Sequence, residues 1–187
     1  MNNFEIIILA LALLFNSWNS YLNAGLGLGD AAVARKLYYS GIMFLIQFIM
    51  AGAGIWIGYK VNSPELRVNM MISFSIMLII GLIVLISNIR PQIPENEFDY
   101  SDKKAISFSA LAEGIIPLMI GSAIGILSTR PYLHGLLIGM FLLSGIIAGQ
   151  ILAINIGINS LKIKLGAAGG LLFLAAAIKL ALNLIRY

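Results

Sequence analysis

Residues 90–104, RPQIPENEFDYSDKK, gather two prolines, four acids and three bases in a chain that is only 11% charged overall. A stretch of that composition reads as a polar surface linker. A ruler of about 20 predominantly apolar residues per membrane crossing marks three spans before it, at 4–28, 37–59 and 68–89. It marks three more after it, at 105–127, 132–156 and 163–185. The chain has 187 residues, of which 60% are hydrophobic, and its mean hydropathy is +0.96. A soluble domain carries roughly 25% charged residues. The expected fold is therefore an all-α integral membrane protein with six transmembrane helices, divided into a first three-helix unit (1–89), the linker (90–104) and a second three-helix unit (105–187).

The same composition narrows the chemistry. There is no cysteine and a single histidine, His134, so thiolate metal sites, disulfides and histidine clusters are ruled out. The formal charge of +4 resides in short loops between apolar runs, where it acts as a topology signal and implies no nucleic-acid partner. The start MNNFE lacks a positive n-region, and no small-residue cleavage site follows the first apolar run, so the first helix is expected to be retained. The glycine-rich GLGLGDAAVARK (25–36) follows an apolar helix and lacks the GK[ST] ending of a phosphate loop. No enzyme activity and no cofactor are expected, and transport would draw on an ion gradient or the membrane potential.

The halves look related. A shift of 94 positions pairs Gly27 with Gly121, Lys36 with Arg130, Tyr38 with Tyr132 and Gly41 with Gly135. It also pairs Asn19 with Glu113. Three spans per half is an odd number, so two copies must cross the membrane in opposite senses, as inverted repeats with a site near the midplane. With the N-terminus outside, the inner loops hold Arg35, Lys36, Arg90, Lys103, Lys104, Lys162 and Lys164, against Lys60, Arg67, Arg130 and Arg186 outside. That excess favours N-out, C-out. GxxxG pairs at Gly25/Gly29, Gly54/Gly58, Gly121/Gly125, Gly135/Gly139 and Gly145/Gly149, with GAAGG opening the last span, predict close helix packing and also suit a homodimer. Unwound or kinked backbone is expected, if anywhere, at GLGLG and around Pro117.

The polar residues inside these spans are the candidate site. Asn16, Asn19 and Asn23 recur three and four apart, so they share one face of the first helix. Glu113, an ionisable group deep in the fourth span, is by default a functional residue. Pro117 follows four residues later and removes a backbone donor, which exposes carbonyl oxygen near Glu113. One carboxylate with neutral oxygens suits a hard cation. Gln47 and Gln150 are candidates to line a cavity. Lys179 is expected to snorkel to its helix end, although turned inward it would neutralise Glu113. Asp30 and His134 fall near helix ends and are expected to be solvated or at headgroup level.

These residues carry a resemblance. The span order, chain length and two halves resemble the bacterial manganese efflux pump family, a relative of the lysine-exporter type transporters. That family has a motif of the form S-M-D-A-F in the first helix and S-L-D-A-M in the fourth. Here SWNSY (17–21) keeps the serine and an aromatic position but has Asn19 for the aspartate, and LAEGI (111–115) places Glu113 at the second aspartate. The second span, KLYYSGIMFLIQFIMAGAGIWIG (36–58), is also similar, with Gln47 near the position of an expected acid. The resemblance implies a six-helix inverted repeat that exports Mn²⁺ across the plasma membrane, with Glu113 and Asn19 as metal ligands and Asn16, Asn23 and Gln47 beside them. The substitution at Asn19 removes an anion that a dehydrated dication needs. Two other readings therefore stand beside it: a transporter of a monovalent cation or small polar solute with Glu113 as proton carrier, and a non-transporting membrane subunit.

Overall fold

The computed structural model describes residues 3–27, 33–89, 103–155 and 159–186, with side chains described for 4–18, 38–89, 104, 106–148 and 165–186. Six helices run through them: α1 (Asn3–Gly27), α2 (Val33–Val61), α3 (Leu66–Ile89), α4 (Lys103–Leu127), α5 (Pro131–Asn155) and α6 (Asn159–Arg186). No strand occurs among the described residues. Five stretches, Tyr38–Val61, Leu66–Ile89, Ile106–Leu127, Pro131–Ala148 and Leu165–Arg186, are long and apolar enough to cross a membrane. In α1 the described apolar stretch is Phe4–Trp18.

These helices are apolar on every side, the pattern of helices whose solvent is lipid. Ile6, Leu9, Leu13, Met77, Ile124 and Phe173 are sealed in the core, while Ile49, Ile83, Phe108, Met140 and Ile178 stand exposed. Around a water-soluble bundle such residues would form a large sticky surface; against acyl chains they are the expected coat. Trp56, Tyr59 and Tyr132 are exposed near the α2 end and the α5 start, the place of an interfacial aromatic girdle. The protein is a multi-pass membrane protein.

α2 packs mainly on α4, α3 on α6, and α1 on α5 and α6, while α1 and α4 touch only over a short stretch. The α2–α4 seam is built from the predicted GxxxG pairs. Gly54 meets Leu118 and Ser122, Gly58 meets Ser122 and Ile126, and Gly121 and Gly125 meet Ala51 and Ile55, all backbone against backbone. Residue numbers rise together along the seam, so the two helices run parallel. Small residues of α6 do the same elsewhere: Gly170 faces the backbone of Leu85 in α3, and Gly169 faces that of Ala12 in α1. Without a hydrophobic drive in lipid, dispersion across such close approaches holds the bundle. Ser73 adds a buried hydrogen bond from α3 to the carbonyl of Ala123 in α4 at 3.1 Å.

One local expectation changes. α4 continues unbroken through Pro117, because neighbouring helices confine its path even where proline withholds an N–H. GLGLG extends beyond the described residues, which include Gly25 and Gly27 as the helical end of α1.

Candidate functional site

The seam between α2 and α4 places Gln47 against Glu113. Gln47 is fully buried, and its Nε2 donates to Glu113 Oε2 at 3.3 Å. Ser109, one turn before Glu113 on the same helix, donates its hydroxyl to Oε1 at 3.5 Å. The half-buried carboxylate thus receives a donor on each oxygen, the support an anion needs where water is scarce. Two features of sequence produce this. The glycines two turns further along bring the helix axes close enough for a glutamine to reach across, and Gly114 leaves room beside Glu113 that a Cβ would lose to Met50, 2.9 Å away. Pro117 offers no N–H to the Glu113 carbonyl four residues before it, so backbone oxygen joins side-chain oxygen at this level.

Glu113 stands ten residues into α4 and Gln47 fourteen into α2, about 15 Å and 21 Å along helices rising 1.5 Å per residue. Among the described residues there is no group of three or more His, Asp or Glu able to hold a metal ion. Any cation here would meet one carboxylate and neutral oxygens.

The other sequence candidates distribute differently. Asn16 is half-buried, and its backbone nitrogen lies where a Cβ on Gly169 of α6 would approach to 3.0 Å, so this part of α1 is packed on α6. The side chains of Asn19, Asn23 and Gln150, and all of Asp30, lie outside the described residues. Lys179 does not reach Glu113: its Nζ pairs with Glu5 Oε1 at 2.6 Å, with Lys179 47% and Glu5 18% exposed. Its partner is an acid of α1 that was not among the candidate residues.

His134 is a correction. It is not solvated but 2% exposed, with Nδ1 2.7 Å from the Ser128 hydroxyl. That oxygen also accepts the Arg130 N–H at 3.0 Å. The hydroxyl before α5 caps the turn and supplies the ring with a partner, so the imidazole can be buried at a helix end.

A family model described as "Putative manganese efflux pump" matches residues 31–181. A protein of Methanobrevibacter smithii named "Putative manganese efflux pump MntP" is 27% identical over 183 residues, covering 96% of each chain. No solved structure matches. With the family match spanning both halves and every element from α2 through most of α6, the chain belongs to the manganese efflux pump family.

Proposed function

We propose that this protein exports divalent manganese from the cytoplasm across the plasma membrane, with Glu113 as the anionic ligand of the transported ion. The observation that carries the reading is the Gln47–Glu113–Ser109 cluster: an ionisable group inside the apolar stretch Ile106–Leu127, oriented by two donors, in a chain of an efflux family. Manganese(II) is a hard cation that takes carboxylate, amide and carbonyl oxygen. Neutral oxygens from Gln47 and the α1 asparagines Asn16, Asn19 and Asn23 complete the proposed wall, with Asn19 occupying the position opposite Glu113.

The proposed scaffold is a pair of inverted three-helix repeats. Its support is that, among the described residues, the main helix pairs keep a counterpart when α1, α2 and α3 are exchanged for α4, α5 and α6, the slight α4–α5 contact being the exception. α2–α4 corresponds to α5–α1, α3–α4 to α6–α1, and α3–α6, α2–α5 and α1–α4 correspond to themselves. An arrangement of that kind offers two equivalent rocking positions about a midplane site, the basis of alternating access.

The test is flux in proteoliposomes holding wild type or Glu113→Gln, across a panel of divalent ions and with a proton-sensitive dye. Wild type should move Mn²⁺, and the variant should lose the flux while keeping its elution profile and melting temperature. Unchanged Mn²⁺ flux in Glu113→Gln removes the carboxylate from the mechanism. A wild type that moves a monovalent ion or polar solute instead assigns the site to that cargo.

A further inference from the structure

Ser17 lacks the local bond that several helical serines make. Ser75 and Ser122 donate their hydroxyls to the carbonyl four residues earlier, and Ser87 and Ser144 to the carbonyl three residues earlier. That local bond is the usual refuge of a serine in an apolar helix. Ser17 is 3% exposed, yet among the described residues its hydroxyl has no hydrogen-bond partner. It continues a stripe of fully buried residues on α1, Ile6, Ala10 and Leu13, so it points into the bundle and not toward lipid. A hydroxyl left this way in a dry interior is destabilising when a carbonyl one turn away could have satisfied it.

Its level in the membrane is informative. Ser17 lies ten residues before the end of α1, and Glu113 ten residues after the start of α4. With the N-terminus outside, both of those ends are cytoplasmic. The two side chains therefore stand about 15 Å from the same face, on helices that touch.

We propose that the Ser17 hydroxyl is an oxygen ligand for the transported hard cation, contributed by α1 at the level of Glu113. This inference rests on the export reading above and competes with its asparagine wall: Ser17 and Asn19 are two residues apart, about 200° around α1, so only one of them faces Glu113. A neutral hydroxyl adds no charge, so it tunes affinity and selectivity while Glu113 neutralises. The orphaned oxygen is then one that finds its partner when a partly dehydrated ion is present.

The experiment compares wild type, Ser17→Ala and Ser17→Cys by Mn²⁺ binding, followed through the ion's paramagnetic resonance in detergent, and by Mn²⁺ flux in proteoliposomes. Ser17→Ala should weaken binding and raise KM by about tenfold, the loss expected for one bond to a charged group, with no loss of melting temperature. Ser17→Cys, which puts a soft sulfur in place of oxygen, should make Cd²⁺ compete about tenfold better against Mn²⁺ than it does in wild type. If both variants bind and transport as wild type does, and Ser17→Ala melts higher, the hydroxyl is an unsatisfied packing residue and the inference is overturned. If wild type itself neither binds nor moves Mn²⁺, the export reading fails first and this assignment with it, a result recognisably different from an effect confined to Ser17.

Discussion

Substituting one glycine in the α2–α4 seam should break a polar contact two turns away. At Gly54 a Cβ would fall inside contact distance of the Leu118 carbonyl oxygen, with Leu118 C and Ser122 N both at 2.9 Å, where ordinary contact begins at 3.4 Å. All three obstacles are backbone, so no side chain can swing aside, and the helices must part by at least 0.5 Å. The Gln47–Glu113 bond is already 3.3 Å long; lengthened by that amount it passes about 3.6 Å and ceases to be a hydrogen bond. Overpacking of this kind costs about 1–3 kcal/mol, and a chain of this size loses roughly 2–4 °C of Tm per kcal/mol. Gly54→Ala should thus melt several degrees lower in detergent and lose Mn²⁺ flux. Gly52→Ala is the control, because nothing lies within 4 Å of its Cβ; it should match wild type or gain up to about 1 kcal/mol from helix propensity. Equal melting and equal flux in the two variants would refute both the seam's register and its link to the carboxylate.

Asn69 tests the turn between α2 and α3. Its amide donates to Asn62 Oδ1 and the Ser63 carbonyl at 2.7 and 2.8 Å and accepts the Ser63 N–H at 2.8 Å. Asn69→Ala leaves those groups orphaned and should cost about 1–3 kcal/mol by thermal melting, whereas loss of a freely solvated asparagine would cost almost nothing. In the Glu5–Lys179 pair Lys179 is 47% exposed and Glu5 18%, so a double-mutant cycle of Glu5→Gln and Lys179→Met should return a coupling below about 1 kcal/mol if water reaches the pair, and a larger value would mean that the pair is shielded. Asn19→Asp returns a second carboxylate to the proposed wall and should tighten Mn²⁺ binding by about tenfold; unaltered binding would place position 19 away from the ion.

The apolar runs were enough to place all six helices, since a lipid solvent demands about 20 apolar residues per crossing whatever the neighbours. The expected spans 68–89 and 163–185 became Leu66–Ile89 and Asn159–Arg186, differences confined to polar ends where hydropathy says little. Helix partners were harder to read. Five GxxxG pairs predict five close faces, but which face meets which depends on the packing of the whole bundle. The 94-residue shift directs attention from Glu113 to its counterpart Asn19 on α1, whereas the hydrogen bond across the seam comes from Gln47 on α2. Gln47 was already a candidate for its polarity; its pairing depends on the register fixed by Gly54 and Gly121, a non-local fact. Solvation of His134 is unreadable for a similar reason, because nearness to a helix end implies it only until a partner such as Ser128 closes over the ring.

Under the 94-residue shift the polar groups of the two halves differ: Glu113 pairs with Asn19, and Gln47 with Phe141. A single carboxylate has an energetic consequence for export. Moving a dication out of a cell held at 100 mV, interior negative, costs about 4.6 kcal/mol, since each charge contributes about 2.3 kcal/mol. Glu113 stays with the protein and changes none of this by itself. It can, however, bind the ion or a proton but not both, so an outward Mn²⁺ leg and an inward proton leg exclude each other at one site. The stoichiometry would then be one proton per ion, which returns one of the two charges and leaves a net outward charge. Paired dye and Mn²⁺ measurements in liposomes should give a proton-to-manganese ratio near 1, and an imposed potential opposing cation movement should slow the flux. A ratio of 2 with no voltage dependence would require a second titrating group at the transport site and would overturn the single-carboxylate mechanism.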